Sequence, residues 1–399
     1  MRRSIARFVV DTHCHITTLY QPGTEEGWEM VENGEWNGLQ RELEPFDNCF
    51  LTMYDMDRYG VDMAILLPSI PGTLNETQAK LVKRFPDKFR ACCSDQRTVL
   101  TAMRGEEPWT FKAALKEVEE ALQTGNFVGI GEFPPGSFAR SQQIPGGEGA
   151  MSFEQRVDEW AALCELGIRY DVPILCHDFF IRDRVGDWIL VDLLAKISGM
   201  NPAAKIVLCH GNVEGERERG MDAIKEMYSI IGSLENVYME TGGWCEKQFE
   251  IAFDVGVTAN QLMWGHDYGN VPQYIVRDTI EKFGPKLKPL EYRKTMSIMA
   301  FDYKDFPSVP TYQGDWYGWG MRTMDRVGDW LTQDELNLIM GGTAAKLYKL
   351  PVPYPRMFPE GRPDIYGEKW EESIPFLPKE QIQHPENVIM SKKSFDPKK

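Results

Sequence analysis

Histidine is scarce in this chain of 399 residues, with six in all, at 13, 15, 177, 210, 266 and 384. Other features are missing outright. No run approaches the roughly 18 uninterrupted apolar residues that cross a bilayer, so no membrane-spanning helix is expected. None of the eight cysteines (14, 49, 92, 93, 164, 176, 209 and 245) forms C-x-x-C, which excludes a zinc ribbon and a thioredoxin-type motif. Several lie in apolar, strand-like runs, where cysteine behaves as a small buried hydrophobe, and reduced thiols are expected. Basic residues are the minority charge, 44 against 60 acidic, and the net charge of −16 argues against a nucleic-acid-binding surface. An export signal is wanting too: Arg2 and Arg3 are followed only by Phe8-Val9-Val10 before Asp11. That is too short for an h-region, and a cytoplasmic protein is expected. The chain shows no internal repeat.

What is present is alternation. Strand-like runs occur at 8–15, 61–67, 89–93, 127–132, 172–177, 205–210, 236–241 and 261–267. Helical patterns fall between them at 41–59, 75–85, 111–123, 153–166, 188–197, 221–231 and 247–255, with Gly125 and Gly167 reading as C-terminal caps. Such alternation implies parallel pairing, and eight strands within about 270 residues imply a (β/α)8 barrel. A doubly wound open sheet is the alternative, but no G-x-G-x-x-G follows the first strand. The stretch from Thr17 to about Phe46, with Trp28 and Trp36, is too long for a simple connection and reads as a lid or binding loop. Beyond the eighth strand come a helical pattern at 275–283 and an aromatic-rich stretch at 301–330. Its Trp316, Tyr317 and Trp319 suit either a packed patch or substrate lining. A helix with Thr332 as N-cap closes the domain near 350. Residues 8–350 thus form one barrel domain, and 351–399 a Pro-rich, charged extension expected to wrap the barrel or a second subunit of a homodimer.

In a parallel barrel the reactive residues sit at the C-terminal ends of the strands. Five of the six histidines fall there: His13 and His15 on the first strand, His177 on the fifth, His210 on the sixth and His266 on the eighth, beside Asp267. Glu132 ends the fourth. Residues at i and i+2 of a strand share a face, so His13 and His15 form a ready pair of metal ligands. His177 supplies a third nitrogen from across the barrel, and Asp267 holds the metal or its water. Water on a divalent ion is acidified towards neutrality, and Asp267 is then expected to act as general base. His210 binds a second metal or polarises the substrate's oxyanion. Glu132 either bridges two metals, supports one of the ligands, or is simply a polar strand end. One divalent ion per chain, Zn2+ or Mn2+, is expected, with two if Glu132 bridges. Arg182 on the fifth-strand loop could grip a substrate carboxylate. Alternation points Cys14, Cys176 and Cys209 outward into the helix layer.

The finer pattern, V-D-T-H-C-H at 10–15, M-W-G-H-D-Y at 263–268 and I-M-G-G-T-A-A-K-L-Y at 339–348, resembles the amidohydrolase superfamily over residues 8 to 350. It is most similar to the amidohydrolase-related branch, which includes aminocarboxymuconate-semialdehyde decarboxylase and the aromatic-acid decarboxylases. His266 stands where that pattern commonly has serine, and Thr343 where it commonly has asparagine. Glu132 in G-I-G-E is similar instead to superfamily hydrolases with a binuclear centre, such as the TatD-like nucleases. The resemblance implies a metal-dependent enzyme acting on a small molecule. Hydrolysis of an amide, ester or lactone is the first expectation, and non-oxidative decarboxylation of an aromatic or unsaturated acid is the second. A metal-binding barrel without catalysis is the third.

Overall fold

The computed structural model describes residues 8–15, 17–18, 46–47, 49–68, 74–103, 105–137, 140, 152–177, 189–212, 221–267 and 316–351. Arg182, His384, the 275–283 helix, Trp28, Trp36 and the extension beyond 351 lie outside these residues, as do the side chains of Trp316 and Trp319.

Eight parallel strands follow one another around the sheet: β1 (Val10–Cys14), β4 (Met63–Leu66), β5 (Phe89–Cys93), β6 (Gly129–Ile130), β7 (Ile174–Cys176), β8 (Ile206–Leu208), β9 (Val237–Glu240) and β10 (Leu262–Met263). Two further short strands, β2 (Thr17–Thr18) and β3 (Phe46–Asp47), pair antiparallel where the long first loop leaves and returns. The seam between β10 and β1 is drawn together by Thr12, whose backbone N–H and hydroxyl both donate to the Trp264 carbonyl at 3.1 and 3.0 Å. The fold is therefore the expected (β/α)8 barrel, nearly closed.

Its apolar residues divide into two layers. Val10, Met63, Ile65, Cys92, Leu175, Val207 and Met263 fill the interior, and Ala344, Leu347 and Tyr348 from the closing helix join that cluster. Alternate strand residues such as Ala64, Leu66, Ala91, Ile174 and Leu208 pack outward under the helices. Period-two alternation on strands buried on both faces produces this split. Among the described residues, no helix is long and apolar enough to cross a membrane.

Local chemistry fixes most helix boundaries. The helix at Phe111–Gln123 starts where the Thr110 hydroxyl accepts the Ala113 N–H, and the one at Gln333–Asn337 starts with a reciprocal box between Thr332 and Glu335. Two expectations are corrected and one helix is added. The helix placed over 41–59 begins at Cys49, because Phe46 and Asp47 are already paired with Thr17 and Thr18. Gly167 does not end its helix, which runs from Phe153 to Tyr170 and is capped by Asp171 at φ 52°. Gly167 is instead a close-packing position, since a Cβ there would lie 3.1 Å from the Ile174 side chain and the Val172 carbonyl. A helix at Gln96–Met103 was missed; Glu117, from the following helix, accepts the N–H groups of Arg97 and Thr98 in its first turn. Asp95 stands at the cap position, but its carboxylate is taken by Arg140 and Trp109, so the cap comes from the distant Glu117.

At the base of the barrel Asp62 accepts the Val9 N–H at 2.8 Å, and its own N–H donates to the Val9 carbonyl. Burial raises its carboxyl to about 6 against the pull of that bond and of Lys88. A raised folded-state pKa means that the native protein binds this proton more tightly than the unfolded chain. Its stabilising effect is present below about pH 4 and is lost as pH rises through about 6. Asp62→Asn keeps an acceptor without the charge. It is expected to raise stability by about 1–2 kcal/mol at pH 8 and by little at pH 4, read from urea denaturation at the two pH values.

Candidate metal centre

A register shift on the first strand aims the two leading histidines. Asp11 pairs with Ala64 and Cys14 with Leu66, so three residues advance on β1 against two on β4. Such a bulge reverses the facing of everything after it. Val10 thus lies in the interior cluster and Val9 outside it, while beyond the bulge Cys14 is outside and His13 and His15 look inward. Their Nε2 atoms come within 3.0 Å of each other.

The other ring nitrogens explain why. His13 Nδ1 lies 2.8 Å from Glu240 Oε2, and His15 Nδ1 lies 2.9 Å from the Leu67 carbonyl. A carboxylate and a carbonyl only accept, so both Nδ1 atoms are donors, and each ring in its neutral form presents a lone pair at Nε2. Two such lone pairs facing each other repel unless a cation sits between them. His210 is arranged alike: its Nδ1 donates to the Gly242 carbonyl at 3.0 Å, and its buried Nε2 has no hydrogen-bond partner among the described residues.

Two carboxylates close on the same point. Asp267 Oδ1 is 3.2 Å from His15 Nε2 and 3.7 Å from His13 Nε2. Glu132 Oε2 is 3.1 Å from His15 Nε2 and 3.4 Å from His13 Nε2, while its other oxygen is 3.6 Å from His177 Nε2. The His177 ring lies 5.0 Å from that of His210, which in turn lies 4.6 Å from that of His13. Burial by itself would lower the His15 imidazole, but the Glu132 charge and the Asp267 contact carry it up to about 9. Burial would raise the Asp267 carboxyl, yet the His15 contact and the charges of His13, His15 and His210 hold it well below the usual range. The site favours positive charge, which a divalent ion held there would supply. Donor atoms of His13, His15 and Asp267 lie within 4.8 Å of one another, so nitrogen and carboxylate donors suited to zinc or manganese are gathered in one place.

The strand ends that carry these groups are turned. His210 and Gly211 have φ of 56° and 54°, and Asp267 has φ of 54°, all in the left-handed region. One expectation is corrected: Cys209 does not face the helix layer but follows Val207 into the interior cluster by alternation, and the turn after it lets His210 face inward as well. Cys14 and Cys176 lie in the outer layer as expected. All eight cysteines are buried, and none is in a disulfide.

Two residues of this centre, Glu240 and Asp11, carried no expected role. Glu240 ends the seventh strand beneath His13. Asp11 accepts the N–H groups of His13 and His266 with Oδ1, each at 3.0 Å, and the Tyr317 hydroxyl with Oδ2 at 2.9 Å. Burial raises the Asp11 carboxyl to about 7 against those bonds. Tyr317, from the helix at Trp316–Val327, is thereby a buried support and not substrate lining. A carboxylate at a strand end was the available signal for Glu240, as it was for Glu132. Trp244 and Trp264 are buried; Trp244 donates to the His210 carbonyl at 2.9 Å, and Trp264 stacks on His266. The Thr343 hydroxyl donates to the Ala259 carbonyl at 3.0 Å.

The profile of the amidohydrolase family matches residues 10–350, and the chain belongs to that family. No curated protein sequence matches it. Among solved structures, it is similar to an uncharacterised TIM-barrel protein from Bordetella bronchiseptica. Identity is 14%, the TM-score 0.45, and the match covers 86% of this chain and 98% of that one. A 2,6-dihydroxybenzoate decarboxylase with bound 2,6-dihydroxybenzoate is 15% identical at a TM-score of 0.44, with 86% and 99% of the two chains covered. A 5-carboxyvanillate decarboxylase from Novosphingobium aromaticivorans, complexed with manganese, is 15% identical at 0.45, with 86% and 96% covered.

Proposed function

We propose that this chain is a metal-dependent hydrolase acting on an amide, ester or lactone-type bond of a small substrate. The observation that carries the reading is the span of Glu132, with one oxygen against His13 and His15 and the other toward His177. That span supports a carboxylate shared by two cation positions, one beside His13, His15 and Asp267 and the other beside His177 and His210. When bound, a divalent ion acts as a Lewis acid and acidifies water. Asp267 takes the proton of the attacking water at its carboxylate and returns it to the leaving group. His210, with Nδ1–H committed to Gly242, offers Nε2 as a ligand, which favours the second-metal role over polarising an oxyanion. Asp11 and Tyr317 hold the main chain of His13 and His266 so that the ligand set keeps its shape.

A second reading, non-oxidative decarboxylation, is favoured by one observation: His13, His15 and Asp267 already form a group able to hold a single ion. Asp267 would then deliver the proton to the ring carbon from which CO2 departs. Glu132→Gln separates the two. In a two-ion hydrolase it is expected to lower bound metal from about two ions per chain to about one and to cut turnover on aryl esters, lactones or amides by about 10²-fold or more. Unchanged metal content in this variant, with CO2 released from hydroxybenzoates by the wild-type protein, would replace the first reading by the second.

A further inference from the structure

Glu240 is fully buried at the end of β9, and nothing in the reaction outlined above uses it. Its Oε2 accepts two hydrogen bonds at once, from His13 Nδ1 at 2.8 Å and from the His210 backbone N–H at 3.0 Å. The remainder of the β9 end grips His210 as well: the Gly242 carbonyl takes its Nδ1–H and the Trp244 indole N–H donates to its carbonyl. Every polar group of His210 except Nε2 is thus tied to residues 240–244.

The carboxylate is fitted closely. A Cβ on Gly265 would lie 2.1 Å from Glu240 Oε1, and one on Gly242 would lie 2.8 Å from it. Both neighbours are glycine in this sequence, and the adjacent backbone reaches the carboxylate with no side chain between. Oε1 itself has no hydrogen-bond partner among the described residues. A buried carboxylate oxygen without a donor is costly, and a cation held nearby offsets that cost.

We infer that Glu240 is a positioning residue that fixes the His13 tautomer and locks His13 and His210 into one arrangement. It acts through those histidines. An ionised carboxylate at Nδ1 keeps the proton there, leaves Nε2 as the ligand atom and strengthens it as a donor. The second bond to the same oxygen holds the left-handed turn at His210. One side chain of the seventh strand therefore aligns ligands on the first and sixth. The inference rests on the metal-dependent reading for its effect on affinity, but not for the hydrogen bonds themselves.

The test compares wild-type protein with Glu240→Gln and Glu240→Asp by Zn2+ titration against a competing chelator and by proton NMR of the metal-free proteins. Wild-type protein is expected to show a strongly downfield His13 Nδ1–H resonance, assigned by its loss in His13→Ala. Glu240→Gln is expected to move that resonance upfield and to weaken Zn2+ binding about 10–100-fold, with the melting temperature of the metal-free protein little changed. Glu240→Asp keeps the charge but falls one methylene short, and a similar loss is expected; it carries the test if the glutamine variant does not fold. Wild-type Zn2+ affinity in either folded variant, or no downfield resonance in wild-type protein, would overturn the inference. If wild-type protein binds no Zn2+ but shows the resonance, the metal-dependent reading fails while the Glu240–His13 contact stands.

Discussion

Asp267→Asn is expected to lower kcat by about 10³–10⁴-fold, the largest effect of any conservative change in this site. Asparagine keeps the shape and one oxygen but cannot accept a proton at neutral pH, and it removes a negative charge from beside two imidazoles. Burial opposes the ionisation of Asp267, and the neighbouring histidines restore it. The carboxylate is therefore present across the physiological range, and Glu132, the other carboxylate at this point, is committed to the bridging role proposed above. Steady-state rates on metal-loaded protein, with metal content measured on the same samples, check the prediction. A large fall in kcat with metal retained identifies the proton carrier. An equal fall that added metal restores identifies a ligand alone. An unchanged rate would remove Asp267 from the mechanism.

Gly131→Ala is expected to destabilise the fold by about 3–5 kcal/mol, the largest stability effect among the substitutions considered. Two independent penalties act at this position. Its φ of 118° lies where an L side chain is strained, and a Cβ would sit 2.3 Å from the Leu175 carbonyl oxygen and 3.0 Å from its carbon. The obstacle is the backbone of the adjacent strand, which pairs with β6 through Ile130 and Ile174 and cannot swing aside as a flexible side chain would. Because Gly131 immediately precedes Glu132, the same change is expected to displace that carboxylate. Thermal denaturation beside Gly136→Ala provides the check, since a Cβ at Gly136 meets nothing within 4 Å. The control is expected to stay within about 0.5 kcal/mol of wild type, and equal melting of the two variants would refute the clash.

Much of the barrel was legible because its signals are local. The helix at Phe111–Gln123 has its expected limits, and Thr332 caps the next-to-last helix as its spacing with Glu335 implies. The apolar runs located all eight strands. The run at 89–93 has the observed limits, but the others overstated their lengths, since a run such as 127–132 records burial, whereas the paired segment is only Gly129–Ile130. Gly167 misled for a related reason: a glycine before a strand reads as a cap, and only the approach of Ile174 reveals that the missing Cβ makes room.

The candidate site divides along the same line. Sequence alone determined which residues could meet, because the end of a barrel strand is a position in the chain as well as in space. His13, His15, Glu132, His177, His210 and Asp267 follow from that rule, and they do converge. Tertiary structure decided what no single strand encodes. The bulge between Asp11 and Cys14 turns His13 and His15 inward, the reversal at His210 brings it inside beside Cys209, and Glu240 bonds His13 and His210 from a strand without any histidine. Facing after a bulge and hydrogen bonding across strands depend on registers set by the whole closed sheet. The opposed lone pairs of His13 and His15 arise there, 3.0 Å apart, and not in the spacing of two letters.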